Sequence, residues 1–175
     1  MTGRGILKNN GPENILFPGT YDGVCWDMVG SYGQVGVRLG SIITVTAVTI
    51  DHVHLHATRD PGCAPRNIEV WASLSLTSSE DVLRIEGNRR NLSEIIGDPL
   101  PSGTIGPSKK YLKLFSFTYN VYSSSSVQKF TVPRSFRKLE IASTSVIFRV
   151  VDNWGSESHT CLYRVRVHGK EMNGL

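Results

Sequence analysis

Cysteine is scarce in this chain, with three residues in 175. That excludes a miniprotein built on a dense disulfide framework. The length is instead enough for one domain with a core of its own. Long apolar runs are missing as well. No stretch approaches the roughly 20 apolar residues that cross a bilayer, and no signal-peptide pattern is present. Any membrane anchor is therefore expected outside this chain. Dense charge of one sign is also lacking. The net charge is +4, and the basic residues are scattered over Arg89-Arg90, Lys109-Lys110, Arg134 to Lys138, Arg164, Arg166 and Lys170. A nucleic-acid platform gathers such residues with aromatics between them, so nucleic acid is not an expected partner.

Catalytic signatures are equally thin. There is no Gly-x-Ser-x-Gly elbow, and Gly30-Ser31-Tyr32-Gly33 lacks the Lys and the following helix that a phosphate cradle needs. No His-x-x-x-His, Cys-x-x-Cys or evident carboxylate pair occurs. The one temptation is His52-Val53-His54-Leu55-His56. On a strand, period two puts three imidazoles on one face, where two could share a zinc or iron ion. A polar, solvated or ligand-facing strand face explains the same pattern without a metal. We expect no metal site and no enzyme.

What the chain does have is Gly, Ser and Thr between short alternating apolar runs. This predicts an all-β, antiparallel sandwich of jelly-roll type with about eight or nine strands. Residues 1–23 read as an irregular N-terminal segment. Strands are expected at Gln34 to Leu39, ended by Gly40 or Ser41, and at the β-branched run from Ile42 to Ile50, continuing through Asp51 into His56. Asn67 to Leu76 and Tyr111 to Val121 follow. Val127 to Val132 is expected to pair back on the latter as a hairpin. Leu139 to Ala142 and Ser145 to Val151 are two more. The domain proper is expected over 24–172, with a loop insertion at about 77–110 that carries a glycosylation sequon at Asn91. The last strand, Thr160 to His168, places Cys161, Tyr163, Val165 and Val167 on one face and Leu162, Arg164, Arg166 and His168 on the other. Cys161 could bridge to Cys25, closing nearly the whole domain into one loop; three buried thiols fit the spacing equally well.

Four motifs in order carry a resemblance. They are Val24-Cys25-Trp26-Asp27-Met28-Val29-Gly30-Ser31-Tyr32-Gly33; Val45-Thr46-Ala47-Val48-Thr49-Ile50-Asp51-His52-Val53; Ala64-Pro65-Arg66-Asn67-Ile68-Glu69-Val70-Trp71; and Asn153-Trp154-Gly155 with Thr160 to Gly169. Together they resemble the SUN domain, over nearly the whole chain. The resemblance implies a non-catalytic binding module of the LINC complex, the nuclear-envelope bridge. It would sit in the perinuclear space, anchored in the inner nuclear membrane by segments outside this chain. There it would bind the C-terminal tail of a KASH protein and couple nucleus to cytoskeleton. The family's paired cysteines fall on Cys25 and Cys161, which implies the bridge. The family's cation loop falls on Pro18 to Cys25, implying a structural potassium ion held by backbone oxygens of Gly19, Thr20, Asp22 and Cys25, although the loop sequence differs. The peptide pocket falls on Gly33, His52, Cys63, His159 and Tyr163. Gly33, His52 and Tyr163 match. His159 stands where the family commonly has Tyr, and Cys63 where a Ser helps to hold the peptide's terminal carboxylate. A thiol is the weaker donor, so the accepted tail may differ. The family assembles as a trimer on a coiled coil, and in animal members a hairpin lid pins the peptide as an added strand. Only 24 residues precede Cys25, so the chain by itself is expected to be a monomer that binds such a peptide weakly. A discoidin-type carbohydrate- or lipid-binding sandwich is the main alternative, and a metal enzyme on the His stripe a lesser one.

Overall fold

The computed structural model describes residues 10–74 and 111–172. The expected insertion at 77–110, its Asn91 sequon and the first nine residues lie outside the described residues. Among the described residues there are eight strands: β1 (Trp26–Val29), β2 (Gly33–Asp51), β3 (Asn67–Ser73), β4 (Tyr111–Thr118), β5 (Val127–Thr131), β6 (Ala142–Val150), β7 (His159–Leu162) and β8 (Arg164–Glu171). A short helix, α1 (Arg134–Arg137), precedes β6. No described helix is long and apolar enough to cross a membrane. Every strand pair is antiparallel, and the architecture is the expected β-sandwich.

The layers follow from β2. Its first half, from Gly33 to Thr44, pairs with β6, and β3 and β4 continue that layer outward. Its second half, to Asp51, lies between β5 and β8. The strand therefore does not stop at Gly40-Ser41 as expected. Between Arg38 and Ile43 it advances five residues while β6 advances two. Such a bulge bends a strand without ending it. The core lies between the layers, from Val45, Val48 and Ile50 of β2 and Val165 of β8 to Val70 and Ala72 of β3, Leu114 of β4 and Val146, Phe148 and Val150 of β6. Phe117 of β4 stacks on Phe130 of β5, ring centroids 3.8 Å apart, and so ties the two layers at one edge.

Three further expectations are corrected. β5 pairs with β2 rather than folding back on β4. Leu139 to Ile141 is no strand, because Pro133 opens α1, its carbonyl accepting the Phe136 and Arg137 N–H groups. The last strand is two strands. Leu162 pairs with Trp26 in the small β1–β7 sheet, whereas Arg164 pairs with Asp51 in the large one. The exchange takes place at Tyr163. Leu162 and Tyr163 are consecutive and both buried, which no strand facing a single layer allows.

Cys25 and Cys161 are joined by a disulfide spanning 136 residues. Breaking it with Cys25→Ser plus Cys161→Ser is expected to remove up to about 4–5 kcal/mol of stability, read as the loss in urea unfolding free energy. A second weak point is Gly169 beside the bulge between Val45 and Ala47. A Cβ there would lie 2.7 Å from the Thr44 carbonyl oxygen and 2.7 Å from Ile43 Cδ1. Gly169→Ala is expected to cost about 1–3 kcal/mol in the same measurement, with no change in the disulfide.

Candidate functional site

One end of the sandwich collects the segments that the sequence reading singled out. Asp51 closes β2 and is buried. It accepts from Arg166 at 2.6 Å and from Arg164 at 3.5 Å. Arg164 also donates to the Pro18 carbonyl at 3.2 Å, which ties the N-terminal loop to this corner. The chain leaves the strand here. The His52 N–H donates to the Ser126 carbonyl, and Leu55–Ala57 winds into a 3-10 turn capped by His54. The three histidines are therefore not a stripe. His52 is buried, while His54 and His56 are exposed with ring centroids 5.3 Å apart.

A second 3-10 turn, Pro61–Cys63, follows. Asp60 caps it by accepting the Gly62 N–H at 2.9 Å. This turn is docked on the loop before β7 by main-chain bonds, Ser156 N–H to the Gly62 carbonyl at 3.2 Å and Trp154 N–H to the Ala64 carbonyl at 3.1 Å. Asn153 organises that loop. Its amide donates to the Ser156 and His159 carbonyls at 2.7 and 3.1 Å and to Thr160 Oγ1 at 3.0 Å. Thr160 Oγ1 in turn donates to the Gly30 carbonyl at 2.8 Å. Loop, β7 and the turn after β1 are thereby fixed relative to one another.

Cys63 and Tyr163 pack in one buried cluster with Val53 and the two disulfide cysteines. His52 joins them edge-on to Tyr163, ring centroids 4.6 Å apart. His52 Nδ1 lies 3.0 Å from the Val53 carbonyl, which can only accept from it. Burial holds the His52 pKa below the ordinary histidine value, against the opposing backbone contacts of Val53 and Cys161. The Tyr163 hydroxyl accepts the Gly23 N–H at 3.3 Å, and burial raises its pKa to about 12. The Cys63 thiol donates to the Asp60 carbonyl at 2.9 Å. Burial, and then the charges of Asp60 and Asp27, push it up to about 11. It is a neutral thiol, not a nucleophile.

His159 opens β7 opposite Val29. It is half-buried, and its Nδ1 lies 2.8 Å from Ser158 Oγ. One ligating atom each from Asp60, Cys63 and His159 lie within 4.8 Å of one another. Thus His52, Cys63, His159 and Tyr163 occupy one corner. Gly33 sits at the start of β2 against Met28 and lines a shallow depression of about 320 Å³ with Tyr32, Gln34, Arg149, Val150 and Val151. In the cation loop, the Pro18, Tyr21 and Cys25 carbonyls accept from Arg164, the Val24 N–H and Asn14. Gly19, Thr20 and Asp22 carry further backbone oxygens, which are donors of the kind a hard cation takes. Sequence reasoning missed Asp60 and Asn153 as site residues. Asp before Pro-Gly was a readable capping signal, and Asn153 stood in the quoted Asn-Trp-Gly motif.

The buried His52 generates a pH prediction. Its folded pKa lies below the unfolded value, so between the two the unfolded chain binds more protons and stability rises with pH. The contribution is complete above about pH 6.5 and is lost as pH falls through the folded pKa. The urea midpoint of the native chain is expected to drop on acidification from about pH 7.5 to 5, and His52→Gln to flatten that slope. His168 is depressed too, by burial and then by Lys129 and Arg166; His168→Gln measures its share.

Known proteins resemble this chain in sequence and in shape. The family model described as Sad1/UNC-like C-terminal matches residues 6–86 and 102–171. SUN domain-containing protein 3 of Bos taurus is 26% identical over 160 residues, covering 90% of this chain and 35% of that protein. SUN domain-containing protein 1 of Homo sapiens is 28% identical, covering 92% and 17%. The Klaroid protein of Drosophila melanogaster is 28% identical, covering 92% and 14%. The chain thus spans about a third of those relatives' length or less. Among solved structures, an F5/8 type C domain from Bacteroides fragilis superposes with a TM-score of 0.57 at 8% identity, covering 94% of this chain and 84% of that one. A family 32 carbohydrate-binding module of Streptococcus pneumoniae EndoD also gives 0.57, at 14% identity, covering 92% and 86%; these two speak to fold alone. With the family model covering most of the residues, the chain belongs to the Sad1/UNC-like C-terminal family, the SUN domains.

Proposed function

We propose that this domain is a non-catalytic peptide-binding head of a LINC-type nuclear-envelope bridge. It takes the C-terminal tail of a KASH protein in the perinuclear space, as part of an inner-nuclear-membrane protein whose anchor lies outside this chain. The observation that carries the reading is the convergence of His52, Cys63, His159 and Tyr163 beside the Cys25–Cys161 bridge. These positions are distant in sequence; the resemblance implies a peptide pocket on them and on Gly33, with the position of Cys63 helping to hold the peptide's terminal carboxylate. His52, Cys63 and Tyr163 are buried, His159 is half-buried and Asp60 is exposed, so a partner's chain end approaches from the Asp60–His159 side. A structural potassium ion on the Gly19–Asp22 oxygens belongs to the same proposal, as does assembly into a trimer through segments preceding the domain. The carbohydrate-binding reading has the fold likeness to the EndoD module in its favour, and that fold hosts many functions.

The test is fluorescence anisotropy with a proline-rich KASH tail peptide, its C-terminus free or amidated, on the chain fused to a trimeric coiled coil. We expect amidation or His52→Ala to weaken binding about tenfold or more, about 1.4 kcal/mol, and the unfused chain to be a monomer that binds more weakly. Equal binding of both peptide forms overturns the carboxylate pocket. Saturable binding of a glycan in place of any peptide favours the carbohydrate reading.

A further inference from the structure

In the corner proposed for a peptide carboxylate, the Cys63 thiol itself faces carboxylates. Asp60 lies against the Cys63 thiol, and Asp27 and Asp22 also act on it by their charge. Among these, Asp22 pairs at 3.5 Å with Arg59, whose side chain is 94% exposed, a contact that solvent weakens. The thiol is spent on the Asp60 carbonyl. A thiol, an imidazole and a carboxylate are all metal ligands.

We propose that Asp60, Cys63 and His159 form a three-ligand site for zinc or a like divalent transition metal. Their ligating atoms lie within 4.8 Å of one another, and a tetrahedral ion with bonds of 2.0–2.3 Å would draw them to about 3.5 Å. The adjustment is small for Asp60 and His159, which are exposed and half-buried. The second shell is in place. Ser158 Oγ can accept from His159 Nδ1–H, leaving Nε2 as the ligating nitrogen. Asp60 is held by its bond to the Gly62 N–H, and the Pro61–Cys63 turn is locked to the Asn153 loop at Ser156. The set is also of mixed origin, since the turn supplies two ligands and β7 the third, so an ion would cross-link them. Binding puts a divalent cation in place of the thiol proton, and that proton goes to solvent as H⁺. The local charge rises by one, from the single negative charge of Asp60 to zero. Three protein ligands leave a fourth position for water or for a carboxylate. That last clause rests on the proposed peptide reading; the ion site does not. The exposed His54–His56 pair, with ring centroids 5.3 Å apart, is the rival location for a metal.

The experiment is a cobalt titration of the metal-free chain without reductant, so that the disulfide stays closed and Cys63 is the free thiol. We expect a near-ultraviolet thiolate-to-cobalt charge-transfer band that saturates at one ion per chain and is displaced by zinc. Cys63→Ser and His159→Tyr are expected to abolish the band while keeping the native melting transition. His54→Ala with His56→Ala is expected to keep it. Absence of the band, its survival in Cys63→Ser, or its loss only in the His54/His56 variant overturns the site. Zinc is then added to the anisotropy assay. Tightening of the free-carboxylate peptide but not the amidated one, by about tenfold or more, supports carboxylate at the fourth position. Zinc-indifferent binding overturns that clause and leaves the site standing. A band with no peptide binding in either metal state overturns the peptide reading instead.

Discussion

A strand 19 residues long can serve two layers only if it bends, and almost everything in this domain depends on β2 doing so. It is hydrogen-bonded to β6 over its first part and to β5 and β8 over its last. Its β-branched second half is stiff and buried, which favours extended backbone on both sides of the bulge. The bend brings Asp51 to the corner where β8 begins. There the carboxylate meets two guanidinium groups. A buried charge needs such partners, and by holding them it fixes where the chain turns inward at His52. The site is thus a consequence of where one strand ends.

Much of this was legible in the sequence, for reasons that can be named. A period-two run such as Tyr111 to Thr118 declares a strand because Leu112 and Leu114 face the interior while their neighbours do not. What failed was pairing and termination. Val127 to Thr131 reads as the return arm of a hairpin, yet its hydrogen-bonded partner is β2, and it meets β4 only by side chains, through Phe130 on Phe117. The His52–His56 alternation mimicked a strand, although a His54 side chain that can cap its own turn was available to end it. Leu162-Tyr163 looked like ordinary alternation because sequence period does not record that consecutive residues can face different sheets.

The site residues divide in the same way. Cys63, His159 and Tyr163 were found by resemblance, and no local pattern would have joined a turn residue to a strand nearly a hundred positions on. Asp60 stands in an Asp-Pro-Gly sequence that signals a turn, which it caps, and that signal says nothing of its second character as a charge beside a thiol. Asn153 is the clearest case of structural work invisible in composition. One amide side chain satisfies two carbonyls and a hydroxyl, and accepts from the Gly155 N–H at 3.0 Å. An unsatisfied group in that position would carry the full desolvation cost.

The disulfide has a mechanical corollary. Tension applied between the two chain ends enters at Cys25, crosses the sulfur–sulfur bond to Cys161 and leaves, so the 136-residue span between them carries none of it in series. β2 to β6 are covalently shielded from being unspooled. Only the segments outside the ring can lengthen, and of these β8, laid antiparallel along β2 from Asp51 to Ile43, is the ladder that takes the strain. Its hydrogen bonds, and not the sandwich core, set the load at which the domain first gives way.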